Sequence, residues 1–100
     1  MIRHIVMFKL KDFATEADKL SAALHVKSRL DQLPKEIDLI RSYEAGVDVR
    51  HLKWSYDLVL SMDFDSMADL DAYTVHPIHQ AFVAFNKDFT VEKACVDFEI

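Results

Sequence analysis

The sequence predicts an α+β domain, with two helical segments lying on one face of a four-stranded antiparallel sheet. Three observations predict it. Residues 54–64 alternate apolar and polar with a strict period of two, the mark of a strand with one buried face. Two stretches, 16–33 and 78–89, repeat apolar residues at helical spacing. The segments follow one another in the order β-α-β-β-α-β. A chain of 100 residues makes one domain, 1–100. One glycine and two prolines, against about 12 expected per hundred residues, leave no material for long irregular loops or a glycine-rich phosphate cradle.

Ile2 to Leu10 reads as the first strand. Ile2, His4, Val6, Phe8 and Leu10 share its core face, with His4 the polar intruder; Arg3, Ile5, Met7 and Lys9 share the other. Thr15 with Glu16 and Asp18 resembles a capping box and opens a helix over 16–33. Leu20, Ala23, Leu24, Leu30 and Leu33 supply its stripe, Lys19, Lys27 and Arg29 face water, and Pro34 stops it. Residues 37–47 read as a second, more polar strand, with Gly46 marking a bulge or bend. A loop over Asp48 to Lys53 leads to the third strand, whose Trp54, Tyr56, Leu58, Leu60, Met62 and Phe64 face inward. Ser66 caps a short helix to Tyr73, and His76-Pro77 restarts it, with His76 near the N-cap. Ile78, Phe82, Phe85 and Phe89 form the apolar stripe of this segment. Val91 to Ile100 closes the chain as a strand, with Ala94, Val96, Phe98 and Ile100 on one face. The order is the ferredoxin-like pattern. Its helices cover one side of the sheet, and the other presents Ile5, Met7 and Val59 among polar neighbours. A homodimer pressing two such faces together is the economical arrangement.

Seventeen acidic against 12 basic residues give a net charge of −5. Such a domain is a poor partner for nucleic acid or an anionic membrane. The opening MIRHIVMFKLKDF is interrupted by Arg3, His4 and Lys9, so it reads as neither a signal peptide nor a membrane span. Cys95 is the only cysteine, which excludes an intrachain disulfide and leaves a cytoplasmic address as the expectation. Cys95 itself reads as an inert sheet residue.

The chemistry-bearing stretch is Tyr73-Thr74-Val75-His76-Pro77-Ile78-His79, two imidazoles and a phenol at a helix break. A neutral imidazole can take a proton near pH 7, and a phenol can donate to a developing oxyanion or enolate. His4 points from the first strand into the same layer. Proton abstraction next to a carbonyl is within reach of this set. The competing reading of each is structural: His76 as a cap, His4 as a satisfied core histidine, Tyr73 as packing. His76 and His79 at i, i+3 with Asp69 and Asp71 nearby make no complete metal-ligand set, and no nucleotide or flavin fingerprint is visible, so no cofactor is expected.

The start IRHIVMFKLK, the strand YDLVLSMDF and above all the run LDAYTVHPIHQAF resemble the stress-responsive dimeric α/β-barrel (Dabb) proteins over nearly the whole chain. The run matches that family's Y-x-x-H-P-x-H-x-x-F signature. The resemblance implies a ferredoxin-like protomer paired through its sheet, with a cavity between sheet and helices. The family includes a polyketide cyclase making olivetolic acid and a fern hydroxynitrile lyase. By motif, the cyclase's acid/base tyrosine and histidine fall on Tyr73 and His79. Its other histidines fall on His76 and His4. A pocket histidine of its third strand is replaced here by Leu58, and a substrate-contacting tyrosine by about Val26. The resulting expectation is a cavity lined by His4, Val6, Phe8, Leu58, Leu60, Tyr73, His76, His79 and Phe82 that takes a small apolar or carbonyl ligand. In the enzyme reading, a cofactor-free lyase or cyclase, His79 is the base, Tyr73 the donor and His4 a helper. The alternatives are a non-catalytic ligand-binding or structural dimer and a cofactor-free monooxygenase of the related dimeric-barrel group.

Overall fold

Four strands hydrogen-bond in the order β2-β3-β1-β4, all neighbours antiparallel. The computed structural model describes all residues, 1–100. The elements run β1 Ile2–Leu10, α1 Glu16–Leu30, α2 Leu33–Glu36, β2 Ser42–Val47, β3 Leu58–Phe64, α3 Met67–Thr74, α4 Pro77–Asn86 and β4 Thr90–Glu99. This is the ferredoxin-like fold that the alternation patterns predict. No helix is long and apolar enough to cross a membrane.

β1 lies inside the sheet, and its register sorts every side chain by face. Val6 stands between Leu60 and Cys95, and Phe8 between Leu58 and Lys93. The core lies on that side, where Leu58, Leu60, Met62 and Phe64 are all nearly or fully buried. α1 packs over β2 and β3, and α3 over β1 and β3.

Local signals explain the helix starts. Thr15 Oγ1 accepts from the Asp18 amide at 3.0 Å, Ser66 Oγ from Asp69 at 3.2 Å, and His76 Nδ1 from Ile78 at 3.1 Å. Each bond satisfies one of the orphan donors of a first turn.

Several boundaries differ from the sequence expectation. α1 ends at Leu30, and Pro34 opens the one-turn α2 rather than stopping a helix. The buried face of α1 is Ala22, Ala23, Val26 and Leu30, while Leu20 and Leu24 are half exposed. Two alanines bring the helix close to the sheet and displace the bulkier leucines to its flank. Its expected solvent-facing cations are engaged: Lys19 pairs with Asp57 at 3.2 Å, Lys27 with Asp31 at 2.9 Å, and Arg29 lies 4.2 Å over Phe85. β2 starts only at Ser42, because Ile37 and Ile40 enter the core from turns. β3 starts at Leu58, since a turn at 52–55 leaves Trp54 in solvent. Gly46 pairs regularly with Val59 and makes no bulge; the irregularity falls at Lys9/Leu10 instead.

Asp57 anchors that end of the molecule. Its buried carboxylate accepts from the Leu10 amide at 2.8 Å and pairs with Lys19, while its own amide donates to Phe8 at 2.8 Å. On the outer face, Arg3 grips Asp63 through two bonds of 2.9 and 3.1 Å, and Ser42 donates to the same carboxylate at 2.6 Å. The bond from Arg3, then that from Ser42, holds the Asp63 carboxyl down at about 2.

Replacing Asp57 by Ala strands the buried Leu10 amide. The expected loss is about 1–3 kcal/mol of unfolding free energy in urea titration. Asp71→Ala, at an exposed position, is expected to stay within about 0.5 kcal/mol. Equal effects of the two would remove Asp57 as an anchor.

Candidate functional site

The break between α3 and α4 builds the site. α3 ends at Thr74, leaving carbonyls without helical partners. Pro77 then starts α4 in a new direction, with His76 as its cap. Two residues further on, His79 turns back over the break, and its Nδ1 lies 2.9 Å from the Thr74 carbonyl oxygen. A carbonyl only accepts, so Nδ1 carries the proton and donates, and the lone pair of the neutral ring is on Nε2. Gln80 Nε2 donates to the same carbonyl at 2.7 Å.

Tyr73 lies one position before Thr74 and is 2% exposed. Its ring is 4.4 Å from that of His79, 5.1 Å from Phe64 and 6.1 Å from His4. No protein group hydrogen-bonds its hydroxyl, and the oxygen is not fully enclosed. Tyr73 borders a cavity of about 410 Å³, bounded also by His4, Val6 and Phe8 of β1, Thr74 of α3, His79, Phe82 and Val83 of α4, and the inner side of β4. The volume falls within the range of small-molecule pockets, about 300–1,000 Å³.

The cavity exists because the helices pack chiefly on β1, β2 and β3. β4, at the sheet edge, keeps Lys93 and Cys95 free to form a wall. Six of the residues singled out in the sequence come together here: His4, Val6, Phe8, Tyr73, His79 and Phe82. Leu58 and Leu60 do not join them. Both are 2% exposed in β3, on the far side of β1 from the cavity. Nor does His76, whose Nδ1 is occupied as a cap. Sequence reading missed Lys93 and Cys95. The alternation of β4 separates them from Ala94, Val96 and Phe98, but that pattern does not say which set faces inward.

The electrostatics suit a neutral base. Burial pushes the His79 imidazole below its ordinary 6.5 and outweighs the opposing bond to Thr74; His4, Lys93 and His76 add smaller pushes downward. Burial pushes the Tyr73 hydroxyl well above its ordinary 10, so it stays a protonated donor. His4 Nδ1 sits 2.5 Å from Asp97 Oδ1.

Residues 2–100 match the stress responsive A/B barrel domain. The chain belongs to that family. A Streptomyces coelicolor relative, the uncharacterized protein SCO4036, is 32% identical over 89 residues, covering 89% of this chain and 90% of the relative. A solved structure from Bacteroides fragilis, a dimeric protein of unknown function with a ferredoxin-like fold, is 31% identical with a TM-score of 0.86, covering 99% of this chain and 95% of that one. A Passiflora edulis hydroxynitrile lyase (14% identity, TM-score 0.79, 99% and 92% covered) and an antibiotic biosynthesis monooxygenase (16%, 0.74, 100% and 98%) share the fold alone. This A/B barrel domain thus shares its fold with proteins named for different chemistries, and the fold by itself assigns none of them to this chain.

Imidazole NMR tests the protonation state of the site. His79 is expected to titrate with a midpoint below 6.5 and to show the Nδ1–H tautomer when neutral. In the interval between the folded midpoint and 6.5, the unfolded chain binds a proton that the folded chain does not. Stability is therefore expected to fall as pH drops below 6.5, and His79→Gln to flatten that decline. A midpoint at or above 6.5 contradicts a half-buried imidazole held neutral by desolvation.

Proposed function

We propose that this A/B barrel domain is a homodimer whose protomers each bind a small, largely apolar carbonyl compound and catalyse lyase- or cyclase-type chemistry on it. The observation that carries the reading is the pairing of two unsatisfied groups over one hollow. His79 Nε2 has a free lone pair because Nδ1 is held by Thr74, and the Tyr73 hydroxyl has no protein partner. A base and a donor on adjacent rings can act on one substrate.

In the proposed step, Nε2 removes a proton from carbon next to the carbonyl, and the C–H electron pair becomes the C=C of an enolate. Tyr73 donates a hydrogen bond to the enolate oxygen. Imidazolium His79 then returns the proton to the product or leaving group. His4 borders the same hollow and helps orient the ligand, with its own Nδ1 tied to Asp97. Val6, Phe8 and Phe82 bind the apolar part. Both catalytic groups come from the chain itself.

Pairing uses the outer sheet face. Beyond Ile5, Met7 and Val59, the register adds Ala94, Val96 and Phe98. Val96 is 62% exposed and Phe98 41%, so the face is more apolar than β1 and β3 alone suggested. The charges of Arg3 and Asp63 on it are already matched to each other. The dimeric state of the Bacteroides fragilis relative supports this reading, and the acidic, single-cysteine composition supports a cytoplasmic setting.

The catalytic test is turnover of a panel of small aldehydes, cyanohydrins and polyketide-like ketones by wild type, His79→Ala and Tyr73→Phe. Each substitution is expected to cost about 10²–10⁴ in rate while leaving the fold intact. Saturable binding without turnover would replace the enzyme with a ligand-binding dimer. Oxygen consumption with quinol-like substrates would replace it with the monooxygenase. For the pairing, sedimentation at micromolar concentration is expected to give a dimer that Val96→Lys splits. A wild-type monomer would remove the sheet-to-sheet arrangement.

A further inference from the structure

Outside the Tyr73–His79 pair, the inner side of β4 carries a second cluster. His4 and Asp97 are register partners on β1 and β4, and Cys95 is two residues before Asp97 on the same face. One ligand-type atom from each, His4 Nδ1, Cys95 Sγ and an Asp97 oxygen, lies within 4.8 Å of the other two. We propose that His4, Cys95 and Asp97 bind a divalent transition-metal ion of the zinc type, held at the cavity wall with its fourth position open.

The donor chemistry selects the ion. A thiolate, an imidazole and a carboxylate make a mixed S, N, O set that suits zinc or cobalt, whereas magnesium and calcium take oxygen ligands. The distances are close to those needed. Bonds of about 2.0–2.1 Å to N and O and about 2.3 Å to S in a tetrahedral ion place ligand atoms about 3.3–3.6 Å apart. Cys95 Sγ is 3.7 Å from His4 Nδ1 and 3.7 Å from Asp97 Oδ2. Only the 2.5 Å approach of Nδ1 to Oδ1 is too short, and a hydrogen bond fills it. The ion takes the place of that hydrogen, with Asp97, its side chain 34% exposed near the end of an edge strand, moving outward by less than about 1 Å to meet the bond lengths above.

The charges balance. The Cys95 thiol gives its proton to solvent, and the His4 proton moves from Nδ1 to Nε2 as the ring changes tautomer. One thiolate and one carboxylate then neutralise the dication, which a half-enclosed position favours. His4 and Cys95 both line the 410 Å³ cavity, so the remaining coordination position faces water or a ligand there. Three protein ligands and one open position is the arrangement of zinc sites that act on bound molecules rather than only hold a fold. The inference shares His4 with the proton-transfer reading but needs neither Tyr73 nor His79, and its test reads metal binding alone, so either can fail without the other.

The test is titration of the reduced, metal-free full chain with cobalt(II), followed by zinc(II). The expected result is one cobalt per chain, a thiolate-to-cobalt charge-transfer band in the near ultraviolet, and loss of that band as zinc displaces cobalt. Cys95→Ser is expected to abolish the band. Asp97→Asn, a nearly isosteric change, is expected to weaken affinity by at least the 10–100-fold that loss of even an outer-shell partner costs. His51→Asn, in the 48–57 loop, is expected to leave the titration unchanged. Absence of the band in wild type, its survival in Cys95→Ser, or unchanged affinity in a folded Asp97→Asn would each overturn the site.

Discussion

The register of β1 between β3 and β4 is the constraint on which the molecule depends. A strand alternates its side chains with a period of two, so a slip of one residue would send Arg3, Ile5 and Met7 into the core and Val6 and Phe8 out of it. Interactions on both faces prevent the slip. Inside, Val6, Phe8 and Leu10 are buried against the helices. Outside, Arg3 is locked to Asp63 by two hydrogen bonds. At the end of the strand, Asp57 ties the Leu10 amide to the start of β3 and, through Lys19, to α1. The same register places His4 beside Tyr73 and opposite Asp97.

The cavity follows from where helical cover ends. α1 and α3 cover the inner face over the first three strands of the β2-β3-β1-β4 order, α4 packs against the helices with Phe82 beside Phe8, and β4 is left as an open wall. The helix break at 74–77 then supplies what the wall lacks. A helix end must dispose of its carbonyls, and here the Thr74 carbonyl is satisfied by the ring of His79. A local backbone requirement thereby sets the tautomer of a side chain that borders the cavity. Burial, which disfavours charge on an imidazole and on a phenol alike, keeps both rings neutral.

Legibility varied with the range of the interaction. The alternation in β3, the caps at Thr15, Ser66 and His76 and the stripe of α4 are contacts between residues close in sequence, and all could be read there. Tyr73, His79 and His4 stood out as a group of chemical types at a helix break and on an apolar face. Leu58 and Leu60 were misplaced in the cavity because alternation reports that a strand has a buried face, not whether helix or hollow covers a given part of it. The irregular burial of Ile37 and Ile40 left no periodic trace. Cys95 and Lys93 read as ordinary strand residues, because their role depends on β4 pairing with β1 across some ninety positions of chain.

The amino-acid order by itself determined the four strands, the longer helices, their succession and the family, since periodicity, capping and a compact local motif are short-range properties. Tertiary structure alone decided which three strands receive helical cover, which side of β4 turns inward, and that His4, Cys95 and Asp97 meet. Those outcomes depend on strand order and register, and both are settled by burial and hydrogen bonding between segments far apart in the chain.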